Sequence, residues 1–171
     1  SVLYTGAYVV FADIKSETDW NIDPADVESK ITARTKALIV VHYAGYPCDM
    51  KSILYICKKY GLTLIEDCAH AIGSYYNGKH VGVFGRYGCF SFYGNKNVTC
   101  AEGGIILADK KDVEILKIMR SHGMTANSLD KYKGHNFSYD VILKGFNYRI
   151  DDIRAALAVS QLQRLEKNKE K

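Results

Sequence analysis

The chain has 171 residues, 47% of them hydrophobic and 25% charged, with a formal net charge of +4; these are the proportions of a globular chain long enough to bury one sizeable core. Lysines and arginines are spread along the chain apart from a small cluster in the terminal KNKEK, so a solvated basic face is expected and binding to DNA or RNA is not. No apolar run approaches a membrane span, no signal peptide opens the chain, and five cysteines without C-x-x-C spacing read as buried thiols of a reducing, cytoplasmic compartment, with neither a disulfide framework nor a metal site.

In chain order, Tyr8 to Asp13 reads as a strand. Asp23 suits a helix N-cap with Pro24 in the first helical position. Ala37 to Tyr43 is a continuous apolar run of strand length, the pattern of a strand covered on both faces. Asp49 caps a helix whose apolar positions are Ile53, Leu54, Cys57 and Tyr60, and Gly61 stops it. Leu62 to Asp67 is a further buried-type strand, and Cys89 to Tyr93 and Gly104 to Ala108 are two more, separated by a polar turn that carries Lys96. A helix opens at Asp109 and ends near Arg120-Ser-His-Gly123, residues 129–137 form a polar loop, and a last helix starts near Asp151 with AALAVSQLQRL. Apolar residues cover most of that helix, so it is expected to pack on more than one neighbour.

Strand and helix alternate, which makes the fold α/β with a mainly parallel sheet and helices on both faces. The chain lacks an initiating Met, opens on an apolar stretch and ends within a helical pattern. It is therefore expected to be truncated at both ends, a fragment of a longer protein.

Ligands of such sheets sit beyond the carboxyl ends of the strands. That rule selects Asp67 and His70 after one strand, His42 and Tyr43 after another, and Lys96 after a third. Each has a plain alternative. Asp67 can be a turn residue, His70 a satisfied structural histidine and Lys96 a solvated loop lysine. Ser91 can be the outward residue of an alternating strand, and Asn147 and Arg149 can belong to the start of the last helix. His42, His80, His122 and His135 read as structural. Gly82, Gly85 and Gly88 recur every third residue but do not follow a strand as G-x-G-x-x-G, so a dinucleotide site is a weak reading. An acid and an amine converging on one sheet edge are what pyridoxal phosphate requires: an amine to form a Schiff base and an acid to keep the ring nitrogen protonated.

The stretches EDCAHAIGSYYNGKHVG, FSFYGNKNVTCAEGG, IMRSHG and GFNYRIDDIRAAL resemble the nucleotide-sugar aminotransferases of the DegT/DnrJ/EryC1/StrS family, and WNIDPADVESKITARTKALIVVHYAGYPCDM fits the same family in the same order. The likeness is greatest to members that aminate a 4-keto sugar. It implies that residues 1–171 are part of the pyridoxal-phosphate-binding large domain of a type I aminotransferase fold, without the N-terminal segment and the C-terminal small domain. Lys96 aligns with the Schiff-base lysine and Asp67 with the aspartate paired to the pyridine nitrogen. His70 holds the place of a Gln or His beside the ring, and Ser91 that of a serine on the cofactor phosphate. Asn147 resembles a residue that reaches the phosphate of the neighbouring subunit's cofactor, and the nearby Arg149 is placed at the substrate. The resemblance implies transfer of an amino group from L-glutamate to a nucleotide-linked keto-deoxysugar, in polysaccharide biosynthesis, by a homodimer with shared sites. The alternatives are a sugar dehydratase, which bears His at the lysine position, and a non-catalytic binding or regulatory domain, or an inactive fragment, that keeps the fold. The sequence departs from the family at Arg86, where Asp is common, and at Gly94-Asn95.

Overall fold

The structure is a computed structural model and describes residues 1–125 and 140–169. Its centre is a four-stranded sheet in the order β1-β2-β5-β6, formed by Ala37–Val41, Thr63–Asp67, Tyr87–Ser91 and Gly104–Ala108. β1 and β2 run parallel with Val41 beside Asp67, and β2 and β5 run parallel with Asp67 beside Cys89. β6 returns antiparallel to β5 and sets Gly104 beside Ser91. Three strand ends and the start of a fourth therefore share one edge of the sheet.

The first helix, α1 (Pro24–Lys30), opens as its sequence requires: the Asp23 side chain accepts the Ala25 N–H, and Pro24 occupies the first turn, where its missing N–H is not needed. α2 (Met50–Tyr60) begins at Asp49, which accepts the Ser52 N–H, and stops at Gly61 in the left-handed conformation. Its buried face, Met50, Ile53 and Cys57, packs on Val40 of β1 and Leu64 of β2 and forms the main core. Each fully buried aliphatic side chain there contributes roughly 1.5–3 kcal/mol.

A second cluster, Cys68, Ala71, Val81 and Phe90, lies beneath a small hairpin of β3 (Tyr75–Tyr76) and β4 (Lys79–His80). The turn of this hairpin is Asn77-Gly78, both at positive φ, the residue pair that a two-residue hairpin favours. A third cluster joins Phe92, Val98 and Cys100 of the Lys96 turn to Ala158 of α4 (Asp152–Leu162).

After β6, α3 (Lys110–Met119) is tied to the start of β5 by a two-pronged ion pair. Arg86 Nε and Nη2 donate to the two Asp112 carboxylate oxygens at 2.8 Å each. Arg86 thus has a structural partner. A short α5 (Leu165–Lys169) ends the described chain.

Several expectations from the sequence are corrected here. Tyr8 to Asp13 forms no strand: Tyr8, Val10 and Phe11 are exposed, and the only strand-type pairing nearby among the described residues is an isolated antiparallel bridge between Ile14 and Ile22. A run of β-prone residues becomes a strand only when another strand satisfies its amides, and none in the described sheet does. β1 is not covered on both faces: α2 packs on the face that carries Val40, while Ile39 and Val41 on the other face are exposed.

β5 begins two residues earlier than expected, at Tyr87, and Phe92-Tyr93 already belong to the turn. α4 starts at Asp152, capped by Asp151 as expected, but of its apolar residues only Ala158 is buried; Ile153, Leu157 and Val159 are exposed. The polar loop expected at 129–137, with His135, lies outside the described residues.

Candidate cofactor site at the carboxyl edge of the sheet

Asp67 is the last residue of β2, and two hydrogen bonds fix its main chain from both sides. Its carbonyl accepts the His42 N–H at 3.1 Å, and the next N–H, that of Cys68, donates to the Cys89 carbonyl at 2.8 Å. Its side chain is half-buried, and Oδ1 accepts the Ala69 N–H at 3.0 Å. That is the turn-aspartate contact, and it uses one oxygen only. Oδ2 makes no hydrogen bond among the described residues.

Ser91 ends β5, the neighbouring strand, two residues beyond the position level with Asp67. Its hydroxyl accepts the Tyr93 N–H at 3.3 Å, and the Tyr93 carbonyl accepts the Lys96 N–H at 3.0 Å. The loop that carries Lys96 is closed on itself. Phe92 donates to the Gly103 carbonyl at 2.9 Å, and its own carbonyl accepts from Cys100 at 3.0 Å and from the Thr99 hydroxyl at 3.1 Å. With Phe92, Val98 and Cys100 buried, the loop has its own small core. Lys96 therefore stands on a fixed base, half-buried, with no ion pair or hydrogen bond from Nζ among the described residues.

His70 follows Asp67 in the turn after β2 and is exposed, its ring edge-on to Tyr43 at 6.2 Å between centroids. Asp67, His70, Ser91 and Lys96 thus lie at or just past the carboxyl edge of β2 and β5. Asn147 and Arg149 lie elsewhere in the chain. Asn147 bridges Ser121 in a short antiparallel pairing, and neither residue makes a hydrogen bond or ion pair to the other four. A hollow of about 340 Å³ beside Thr35, Lys36 and Gly61 sits at the opposite, amino edge of β1 and β2 and is no part of this cluster.

Glu66 precedes Asp67 in β2. It is fully buried, and all four of its contacts are donors. Oε1 accepts the N–H groups of Phe84 at 2.7 Å and Gly85 at 2.6 Å, while Oε2 accepts Gly82 N–H at 2.7 Å and faces His42 Nε2 at 3.1 Å. Burial works to raise the carboxyl pKa, but His42 and the three amides outweigh it and hold the group below its ordinary value. The spacing of Gly82, Gly85 and Gly88 is explained in the same place. A Cβ on Gly88 would run into the Gly82 backbone, and one on Gly85 would meet the Leu64 carbonyl at 2.7 Å. These glycines let the loop lie flat on β2 and β5. A single legible signal pointed to Glu66: an acid inside an apolar strand, two residues from the buried Leu64 and so on the same face.

His42, Glu66 and Cys68 bring ligand-type atoms within 4.8 Å of one another. Their chemistry disfavours a metal, because the Glu66 oxygens are engaged and His42 Nδ1 accepts the Cys48 N–H at 3.1 Å. Burial raises every cysteine thiol, Cys48 to about 12, and pushes Cys57, Cys68, Cys89 and Cys100 in the same direction. All five are free, and Cys89 alone is not fully buried. They are protonated packing residues. No described helix is long and apolar enough to cross a membrane.

The mainly parallel sheet with its helices matches solved aminotransferases along nearly the whole chain. Helicobacter pylori PseC, an aminotransferase involved in the biosynthesis of pseudoaminic acid, superposes with a TM-score of 0.87 at 38% identity, covering 96% of this chain and 42% of that one. Spr1654 of Streptococcus pneumoniae, in its PLP form, gives 0.83 at 29% identity over 97% of this chain and 45% of its own. Among sequence relatives, the uncharacterized protein MJ1066 of Methanocaldococcus jannaschii is 42% identical over 167 residues, 96% of this chain and 43% of the relative. The fold is thus that of the large domain of PLP-dependent aminotransferases. The sequence profile of the DegT/DnrJ/EryC1/StrS aminotransferase family matches residues 1–171, and the chain belongs to that family. It spans less than half the length of the relatives it matches.

Proposed function

We propose that the chain is part of the cofactor-binding large domain of a pyridoxal-phosphate-dependent sugar aminotransferase. The observation that supports the reading is that Asp67 and Ser91 end two adjacent parallel strands and Lys96 lies in the turn after the second, in a chain of this family. The donor set fits the group: an amine for its aldehyde, a carboxylate for its ring nitrogen, and a hydroxyl for its phosphate. In this reading Lys96 Nζ holds the aldehyde carbon, Asp67 the pyridine nitrogen and Ser91 the phosphate, while His70 lies beside the ring. Pyridoxal phosphate, when bound, supplies a protonated ring that withdraws electrons from the carbon being deprotonated.

The protein's own contribution is proton management. Asp67 keeps the proton on the ring nitrogen by presenting a carboxylate there, with Oδ2 unengaged among the described residues. Lys96 Nζ would be the base that takes the proton from Cα of the amino donor and the acid that returns it. The closed loop around Phe92 holds the base of Lys96 still while its four-carbon stem swings. By the family resemblance the donor is L-glutamate and the acceptor a nucleotide-linked keto-deoxysugar. The complete protein is read as a cytoplasmic homodimer, with Asn147 reaching a partner's cofactor phosphate and Arg149 at the substrate. The exposed apolar residues of α4, Ile153, Leu157 and Val159, support a covered face in that assembly.

The test is borohydride reduction of the full-length protein after incubation with pyridoxal phosphate, followed by peptide mapping. The expected result is a pyridoxyl group on Lys96. A label on another lysine, or none, refutes the assignment.

A further inference from the structure

We infer that Glu66 and His42 act as a positioning pair that holds Asp67 in register with β5, the strand before the Lys96 turn; this rests on the role given to Asp67 above. The inference starts from hydrogen-bond polarity. Three of the four groups facing Glu66 are main-chain N–H groups, which can only donate. The fourth is His42 Nε2. His42 Nδ1 already accepts the Cys48 N–H, so in the neutral ring the proton must sit on Nε2, and Nε2 must donate to Glu66. The backbone at Cys48 therefore fixes the tautomer, and the site demands a group with two accepting oxygens. A carboxylate meets that demand, and an amide does not.

The pair connects three segments at one edge. Its ring end holds the chain just after β1, its carboxylate holds the 82–85 loop that leads into β5, and Glu66 itself is the residue before Asp67. The main-chain N–H of the same His42 donates to the Asp67 carbonyl. One histidine thus grips β2 twice: through its ring to residue 66 on the α2-covered face, and through its amide to residue 67, whose side chain alternates to the opposite face. The other side of the Asp67–Cys68 peptide is held to β5 by the Cys68 N–H on the Cys89 carbonyl. Loss of the Glu66 acceptor would free both the His42 segment and the 82–85 loop, and with them the two supports of Asp67. A fully buried group with four satisfied bonds does this without touching the cofactor edge.

The experiment compares wild-type full-length protein with Glu66→Gln, His42→Leu and His42→Gln, and with Ile56→Ala as a core control outside the cluster, since Ile56 is buried on α2. Two readouts are taken: amide hydrogen exchange at residues 42, 68 and 69 without cofactor, and the pyridoxal phosphate dissociation constant. Glu66→Gln and His42→Leu are expected to lose protection at these amides and to weaken cofactor binding roughly tenfold or more. His42→Gln, which keeps a donor for Glu66, should recover part of both, and Ile56→Ala should move neither selectively. Should Glu66→Gln fail to fold, the two His42 variants carry the comparison. Equal losses in the control, or no difference between His42→Leu and His42→Gln, overturn the inference. Protection that follows the expected order in a wild-type protein that takes up no pyridoxal phosphate overturns the cofactor reading instead, and the positioning of residue 67 stands.

Discussion

The main-chain N–H of His42 donates to the carbonyl of Asp67 over 3.1 Å, just beyond the point where β1 and β2 stop pairing as strands. The contact extends the parallel ladder by one rung and keeps the Asp67 peptide in the plane of the sheet. An aspartate held this way has a fixed main chain, and one of its oxygens, Oδ2, makes no hydrogen bond among the described residues.

Asp67→Asn keeps the shape and the Ala69 contact but presents a neutral amide. In the full-length protein, transamination should fall by at least about a hundredfold, with the thermal midpoint nearly unchanged. The amino-donor half-reaction with L-glutamate, followed by absorbance, measures it. A wild-type rate would remove Asp67 from the chemistry.

Lys96→Ala should reduce the same half-reaction by at least about a thousandfold. Its effect on stability should stay within about 0.5 kcal/mol, because the half-buried side chain makes no hydrogen bond or ion pair among the described residues. Circular-dichroism melts read the second quantity. A large loss of stability would show that the lysine packs rather than reacts.

Gly88→Ala and Gly78→Ala separate space from strain. At Gly88 the new Cβ would overlap the Gly82 backbone, which cannot step aside without moving β5, so a loss of more than about 2 kcal/mol is expected. Gly78 has φ of +77° but open space around it, and the loss there should be only about 1 kcal/mol. Urea unfolding of both variants decides, and equal losses would contradict the packing of the glycine loop.

Acid should destabilise the protein through Glu66 and Asp112. Hydrogen bonds hold Glu66 below the ordinary carboxyl pKa against its burial, and the Arg86 fork lowers Asp112. Both groups have folded-state values below their unfolded ones. The stability they contribute is therefore fully present above the unfolded values of about 4 and is lost as pH falls through the lower folded ones. Melting temperatures should be flat from about pH 7 to 5 and drop below that. Asp112→Asn should lower the plateau and leave a shallower drop. An unchanged acid limb would assign the loss to other groups.

Local chemistry made much of this molecule legible from sequence alone. Asp23-Pro24, Asp49 and Gly61 mark helix ends through hydrogen bonds and backbone preferences that span a few residues, and the structure has those ends in place. Leu62 to Asp67 read as a strand because apolar runs of that length pair in sheets, and its carboxyl end followed from the direction of the chain. The sequence also brought Asp67, Ser91 and Lys96 to one edge, since strands separated by crossovers in an α/β chain run parallel. Whether Tyr8 to Asp13 forms a strand and whether both faces of β1 are covered were not local questions. They depend on which other strand or helix lies alongside: no strand of the described sheet pairs with residues 8–13, and α2 packs on the Val40 face of β1 while Ile39 and Val41 on the other face are exposed. Glu66 shows the same limit within the site. Its neighbours in sequence mark it as an acid in an apolar strand, while its donors come from residues 42, 82, 84 and 85. Only the folding of those distant segments against β2 supplies the bonds that keep a buried charge stable, because a carboxylate inside a protein is tolerated where donors converge on it and nowhere else.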